Sequence, residues 1–223
     1  MSTATLSWAA DGSHSAAARR LAFGIAIWFL ACLAASFSNL FSVRENGIPW
    51  PIGLAVALPV CTFLLFYAAM PNFRNLVLAL DLRLLVLVHT WRFVGVSFLF
   101  LAAHGVLPMA FAIPAGVGDA MVAVGALFIG MALYSREGIS WHALLAWNTA
   151  GLLDFVVTVG IGMSARSGGI LHAVGSVPTD AMEIFPLSLI PGFFVPLFII
   201  THLIVFLKVR HQHAREARIQ LVH

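Results

Sequence analysis

The chain has 223 residues, of which 61% are hydrophobic and 9% charged, and its mean hydropathy is +0.98. Soluble domains are about half apolar and one quarter charged, so this composition excludes a water-soluble enzyme domain and places the chain in lipid. The net charge of +3 comes from basic residues that flank apolar segments instead of clustering with aromatics on one face, which argues against nucleic acid as a partner.

A helix needs about 20 apolar residues to cross about 30 Å of hydrocarbon. Apolar runs bounded by charge, Pro and Gly predict six spans, at 21–42, 52–70, 84–105, 117–134, 142–163 and 185–207. The fold class expected is therefore all-α, a polytopic transmembrane helix bundle. Residues 1–20 form an N-terminal segment, 21–207 one transmembrane domain and 208–223 a basic tail. The first run is too long for a signal-peptide core of about 7–15 residues, and is read as a retained anchor. Its Cys32, and Cys61 in the second run, show neither CxxC nor metal-ligand spacing and read as small packing residues.

Trp50 opens the second run at the headgroup level, where amphipathic rings are favoured, and Trp141 does the same for the fifth. Between the second and third spans, 72–83 partly alternates apolar and polar residues and reads as an interfacial connector. With six spans, Arg19, Arg20, Arg74, Arg83, Arg136, Lys208, Arg210, Arg215 and Arg218 fall on one side and only Arg44 and Arg166 on the other. The positive-inside rule makes the first side, with both termini, cytoplasmic.

The third span brings the first ionisable groups that lie deep in an apolar run, where a charge costs at least ~3 kcal/mol and faces a partner or water. His89 and Arg92, three residues apart, share a helix face. Depth counted at about 1.5 Å per residue puts His89, Arg92, Asn148 and His202 in the cytoplasmic half. It puts His104, Asp119, Asp154 and Glu183 in the outer half, giving two polar layers. Arg92 is expected to pair with Asp154, which lies nearer mid-membrane than Asp119. A static ion pair joining helices is an equal reading of the same residues.

Between the third and fourth spans, Pro108, Pro114, Gly116 and Gly118 interrupt a stretch with hardly any charge. It reads either as a re-entrant loop positioning His104 and Asp119 or as a surface turn with Pro114 opening the next helix. On the fifth span Trp147, Gly151, Asp154 and Thr158 share a face. On the sixth, Pro186, Pro191 and Pro196 preclude a regular helix in its first half.

Three functions follow. The first is small-solute or proton handling at a polar site in spans three to six, with Arg92 and Asp154 as charge pair, Asn148 beside them, and Asp119, His104 and Glu183 at the outer mouth. The second is electron transfer through a b-type haem held by His89 and His202, which fall at equal depth on antiparallel spans. The third is a non-catalytic accessory subunit, for which small-residue spacings such as Gly116-x3-Ala120 and Ala126-x3-Gly130 permit close contact within the chain, with a membrane-protein partner or in a homo-oligomer. No nucleophile elbow, HExxH or phosphate-binding glycine pattern is present, so no catalytic or metal residue is assigned.

The segment Phe111-Ala-Ile-Pro-Ala-Gly-Val-Gly-Asp119, preceded by Trp91-Arg92 and followed by Trp147-Asn148 through Asp154, resembles a group of uncharacterised bacterial multi-pass integral membrane proteins. The resemblance covers the last four spans. It implies a shared architecture of about six spans and a bacterial inner-membrane location, and transfers no activity.

Overall fold

The computed structural model describes residues 12–43, 47–135, 139–173 and 175–220, with side chains described from 19 to 212. Of the basic residues used for orientation, Arg44 and Arg136 and the side chains of Arg215 and Arg218 lie outside that set. The described chain is helical, and six of its helices are long and apolar enough to cross a membrane: 19–37, 50–69, 82–103, 109–134, 141–164 and 190–212. The chain is thus an all-α bundle of six membrane-crossing helices.

The first two spans are α1 (Gly12–Phe37) and α2 (Trp50–Ala69). Apolar on all sides and with few buried residues, they flank the bundle. The connector is a short helix, α3 (Pro71–Ala79). It buries Val77 and is fastened to the last span by Lys208, whose ammonium donates to the Leu78 and Leu80 carbonyls at 2.6 and 2.7 Å.

The third span has three parts: α4 (Leu82–Leu87), a 3₁₀ stretch over Val88–Val96, and α5 (Ser97–Ala103). A 3₁₀ helix has three residues per turn, so residues three apart eclipse one another. Val86, His89, Arg92, Gly95 and Phe98 therefore form one straight buried row, where an α-helix would carry them progressively round its axis. The span ends at Gly105, whose φ of 70° is left-handed backbone suited to glycine. The Val106 N–H returns to the Leu101 carbonyl at 2.9 Å, closing the helix end.

The fourth span, α6 (Met109–Tyr134), begins eight residues before the expected start at 117, with Pro108 as its N-cap residue and Pro114 inside it. The 104–119 segment is therefore not a re-entrant loop. The chain turns over 104–108 and goes straight back in. Pro114 does not open the helix either: it lies in the second turn, inside the helix, and removes the N–H that would bond the Ala110 carbonyl.

The fifth span, α7 (Trp141–Ser164), is capped by the Ser140 hydroxyl accepting from the Ala143 N–H. The sixth opens irregularly, as its prolines require, through a π turn at Ile190–Phe194 into α8 (Val195–Gln220). The irregular opening is bonded to α1: Cys32 Sγ donates to the Gly192 carbonyl at 3.3 Å, and the Ser36 and Ser188 hydroxyls share a hydrogen bond.

Small residues are used inside the chain. Gly116 lies on the Gly95 carbonyl and Leu99, Gly130 on Leu87, and Ala126 is fully buried. These contacts bring α6 against the third span.

Candidate functional site

The 3₁₀ row aims Arg92 at the bundle centre, where the residue is 2% exposed. Nε donates to Asp119 Oδ1 on α6 at 2.7 Å, and Nη2 donates to Asp154 Oδ2 on α7. Nη1 faces the Gly151 carbonyl at 3.3 Å and His202 Nε2 on α8 at 3.4 Å. Beneath the plane lies the Phe155 ring, 3.9 Å from the guanidinium carbon, an arrangement in which a cation is attracted to the ring face. Both carboxylates thus share one cation, where a pair with Asp154 alone was expected.

Three glycines make this approach feasible. A Cβ on Gly95 would collide with Asp119, one on Gly118 with Asp154, and one on Gly151 with the His202 ring. Each polar side chain occupies the space above a glycine of a neighbouring span.

The donor pattern fixes the tautomer of His202. A guanidinium can only donate, so Nε2 accepts and the ring proton lies on Nδ1. Nδ1 donates to Asn148 Oδ1 at 2.8 Å, and Asn148 Nδ2 returns to the His202 carbonyl at 3.1 Å. Thr201 Oγ1 gives its proton to the Phe198 carbonyl at 2.8 Å, so it accepts from His89 Nε2 at 3.1 Å. His89 Nδ1 is left as a buried acceptor with no partner. Trp147, which donates to the Val122 carbonyl at 3.0 Å, packs edge-on against His89.

Asp119 and Asp154 of the expected outer layer accordingly join His89, Arg92, Asn148 and His202 in one network, whereas Glu183 and His104 do not. Depth was counted at α-helical rise, whereas the 3₁₀ stretch is longer per residue, and an Arg side chain reaches past its own depth.

The histidine pair does not fit a haem. His89 and His202 stack face to face with ring centroids 3.9 Å apart, leaving no room for a porphyrin between them. Both nitrogens of His202 are already engaged. Among the described residues no group of three His, Cys, Asp or Glu side chains could hold a metal ion.

A second buried pair lies toward the end carrying segments 38–43, 47–49, 165–173 and 175–189. Arg166 Nε donates to Glu183 Oε1 at 2.9 Å, and its Nη1 donates to the Gly47 carbonyl. Glu183 Oε2 accepts the Val43 N–H at 3.1 Å. Glu183 was singled out in the sequence. In the sequence Arg166 reads only as a topology signal, although an arginine followed by Asp180 and Glu183 in the same connection is a usable clue. His104 is not brought to either pair. It is exposed, packs on Phe100, and bonds the Phe100 carbonyl at 2.9 Å.

A cavity of about 200 Å³ joins the two pairs. Among the described residues its ionisable lining consists of Arg92, Asp119, Asp154, Arg166 and Glu183, and the remaining walls are almost entirely apolar. Two guanidinium groups therefore stand against three carboxylates, one negative charge in excess. Thr158 Oγ1, also on the wall, is buried without a partner.

Comparison with curated proteins and with solved structures returns no match. A family model described as a domain of unknown function, DUF8737, matches residues 49–210, which include every side chain of the central network and both members of the second pair. The chain belongs to the DUF8737 family.

Proposed function

We propose that this membrane protein binds a small solute and a proton in the central cavity, in a transport role. The observation that carries the reading is the charge count: Arg92 is shared between Asp119 and Asp154, and the cavity lining among the described residues holds three carboxylates against two guanidinium groups. An unbalanced charge at this depth costs several kcal/mol, on the order of 3 or more. One proton on the carboxylate pair removes that cost, and a static structural pair would need no such excess. The location proposed is the bacterial inner membrane with both termini cytoplasmic, supported by the nine-to-two distribution of basic residues in the sequence.

The test uses purified protein in liposomes that enclose a pH-sensitive dye, with a potassium diffusion potential, negative inside, driving protons inward. Wild-type vesicles are expected to acidify faster than protein-free ones. Asp154→Asn and Arg92→Ala are expected to abolish the difference while still inserting and remaining monodisperse. Unchanged flux in both variants, or none in the wild type, sinks the proposal.

A further inference from the structure

We infer that the solute is an organic monocation with a small apolar, ring-sized body, which replaces the proton on the Asp119/Asp154 pair. The inference rests on the proton-binding reading above and adds the chemical class of the ligand. Its first support is the state of the guanidinium groups. Arg92 spends Nε on Asp119, Nη2 on Asp154 and Nη1 on Gly151 and His202. Arg166 spends Nε on Glu183 and Nη1 on Gly47. All three nitrogens of the central guanidinium, Arg92, are thus engaged by the protein itself, and none is left to clamp an anionic ligand beside the aspartates.

The acceptors are in the opposite condition. Asp119 uses Oδ1 and Asp154 uses Oδ2 toward Arg92, and their other oxygens accept nothing further among the described residues. The groups facing the carboxylates are Arg92 from the third span, His202 from the sixth, and Arg166 with Glu183 across the cavity. Among the described lining residues the second span contributes Ile52 and Val56, with Pro49 just ahead of it. The second support is the wall: Trp91, Phe98, Phe111, Phe155, Phe194 and Phe198 line the space. Aromatic faces with a nearby carboxylate are the chemistry that recognises a desolvated ammonium. On binding, the carboxyl proton leaves to water and the cation takes its place, so charge is conserved.

The experiment is titration calorimetry of the full-length, detergent-purified protein with benzyltrimethylammonium, in two buffers of different ionisation heat. Phenylmethanesulfonate serves as an anionic control of similar size. Saturable cation binding with close to one proton released is expected, its affinity falling up to about tenfold per unit decrease in pH through one-for-one linkage. Asp119→Asn and Asp154→Asn, checked for retained thermal unfolding, are expected to lose proton release and weaken the cation at least tenfold. Absent cation binding, or tighter binding of the sulfonate, overturns the inference. If liposome proton flux persists in that case, the proton reading stands and only the ligand class falls; if flux is absent too, both fall.

Discussion

Replacing Arg92 by methionine is expected to be far more damaging than removing either of its carboxylate partners. Arg92→Met keeps an unbranched apolar stem but leaves Asp119 and Asp154 facing each other in the bundle with no cation between them. Breaking a buried pair from one side costs about 3–5 kcal/mol. Asp119→Asn retains an acceptor for Arg92 Nε at the 2.7 Å position and leaves one carboxylate against one guanidinium. Its expected cost is about 1 kcal/mol, the difference between a charge-assisted and a neutral hydrogen bond. For a chain of this size each kcal/mol moves the unfolding midpoint by roughly 2–4 °C, so the two variants are expected to differ by roughly 4–16 °C. Thermal unfolding in detergent, followed by the fluorescence of the six tryptophans, reads the shift directly. Equal losses in Arg92→Met, Asp119→Asn and Asp154→Asn would refute the charge-excess argument on which the functional reading depends.

Gly118→Ala is expected to displace the Asp154 carboxylate, which lies where the new methyl would stand; a loss of roughly 1–3 kcal/mol together with proton flux is the expected outcome in the unfolding and liposome assays. Glu183→Ala strands Arg166, itself 4% exposed, and is expected to cost about 3–5 kcal/mol, with Arg166→Met/Glu183→Leu recovering most of it. Asn148→Leu removes the hydrogen bond to His202 Nδ1 and the one to the His202 carbonyl, for an expected cost of about 1–3 kcal/mol, measured by the same unfolding. The stacked histidines predict an absorption spectrum without a Soret band after expression with ample haem, and a band lost in His89→Ala would contradict that geometry.

The spans were legible because a membrane-crossing helix must be apolar along its whole length, and 50–69 and 141–164 fall within two residues of expectation. The fourth span was not, since Pro114 and the glycines around it carry the same signal in a broken loop as in a helix that needs close approach to its neighbour. Arg92, Asp119, Asp154, Asn148 and His202 stood out because each is polar in an apolar run, and all five meet in one network. Their connectivity was hidden, because it depends on the winding of 88–96. The β-branched Val88, Thr90, Val94 and Val96 disfavour α-helix only slightly, too little to predict a 3₁₀ stretch. Glu183 was visible as an acidic residue, but its role depended on Arg166 folding back from a loop.

The nine-residue 3₁₀ stretch also stores a screw motion. Its first and last residues, Val88 at −58°, −26° and Val96 at −56°, −27°, have 3₁₀ dihedrals, only about 15° in ψ from those of an α-helix. Rewinding nine residues from about 2.0 to about 1.5 Å of rise would draw the ends of the span together by about 4.5 Å. The same change, from about 120° to about 100° per residue, would turn one end against the other by about half a revolution. Arg92, near the middle of the stretch, would turn through about a quarter and leave both aspartates without breaking a covalent constraint or unfolding the span.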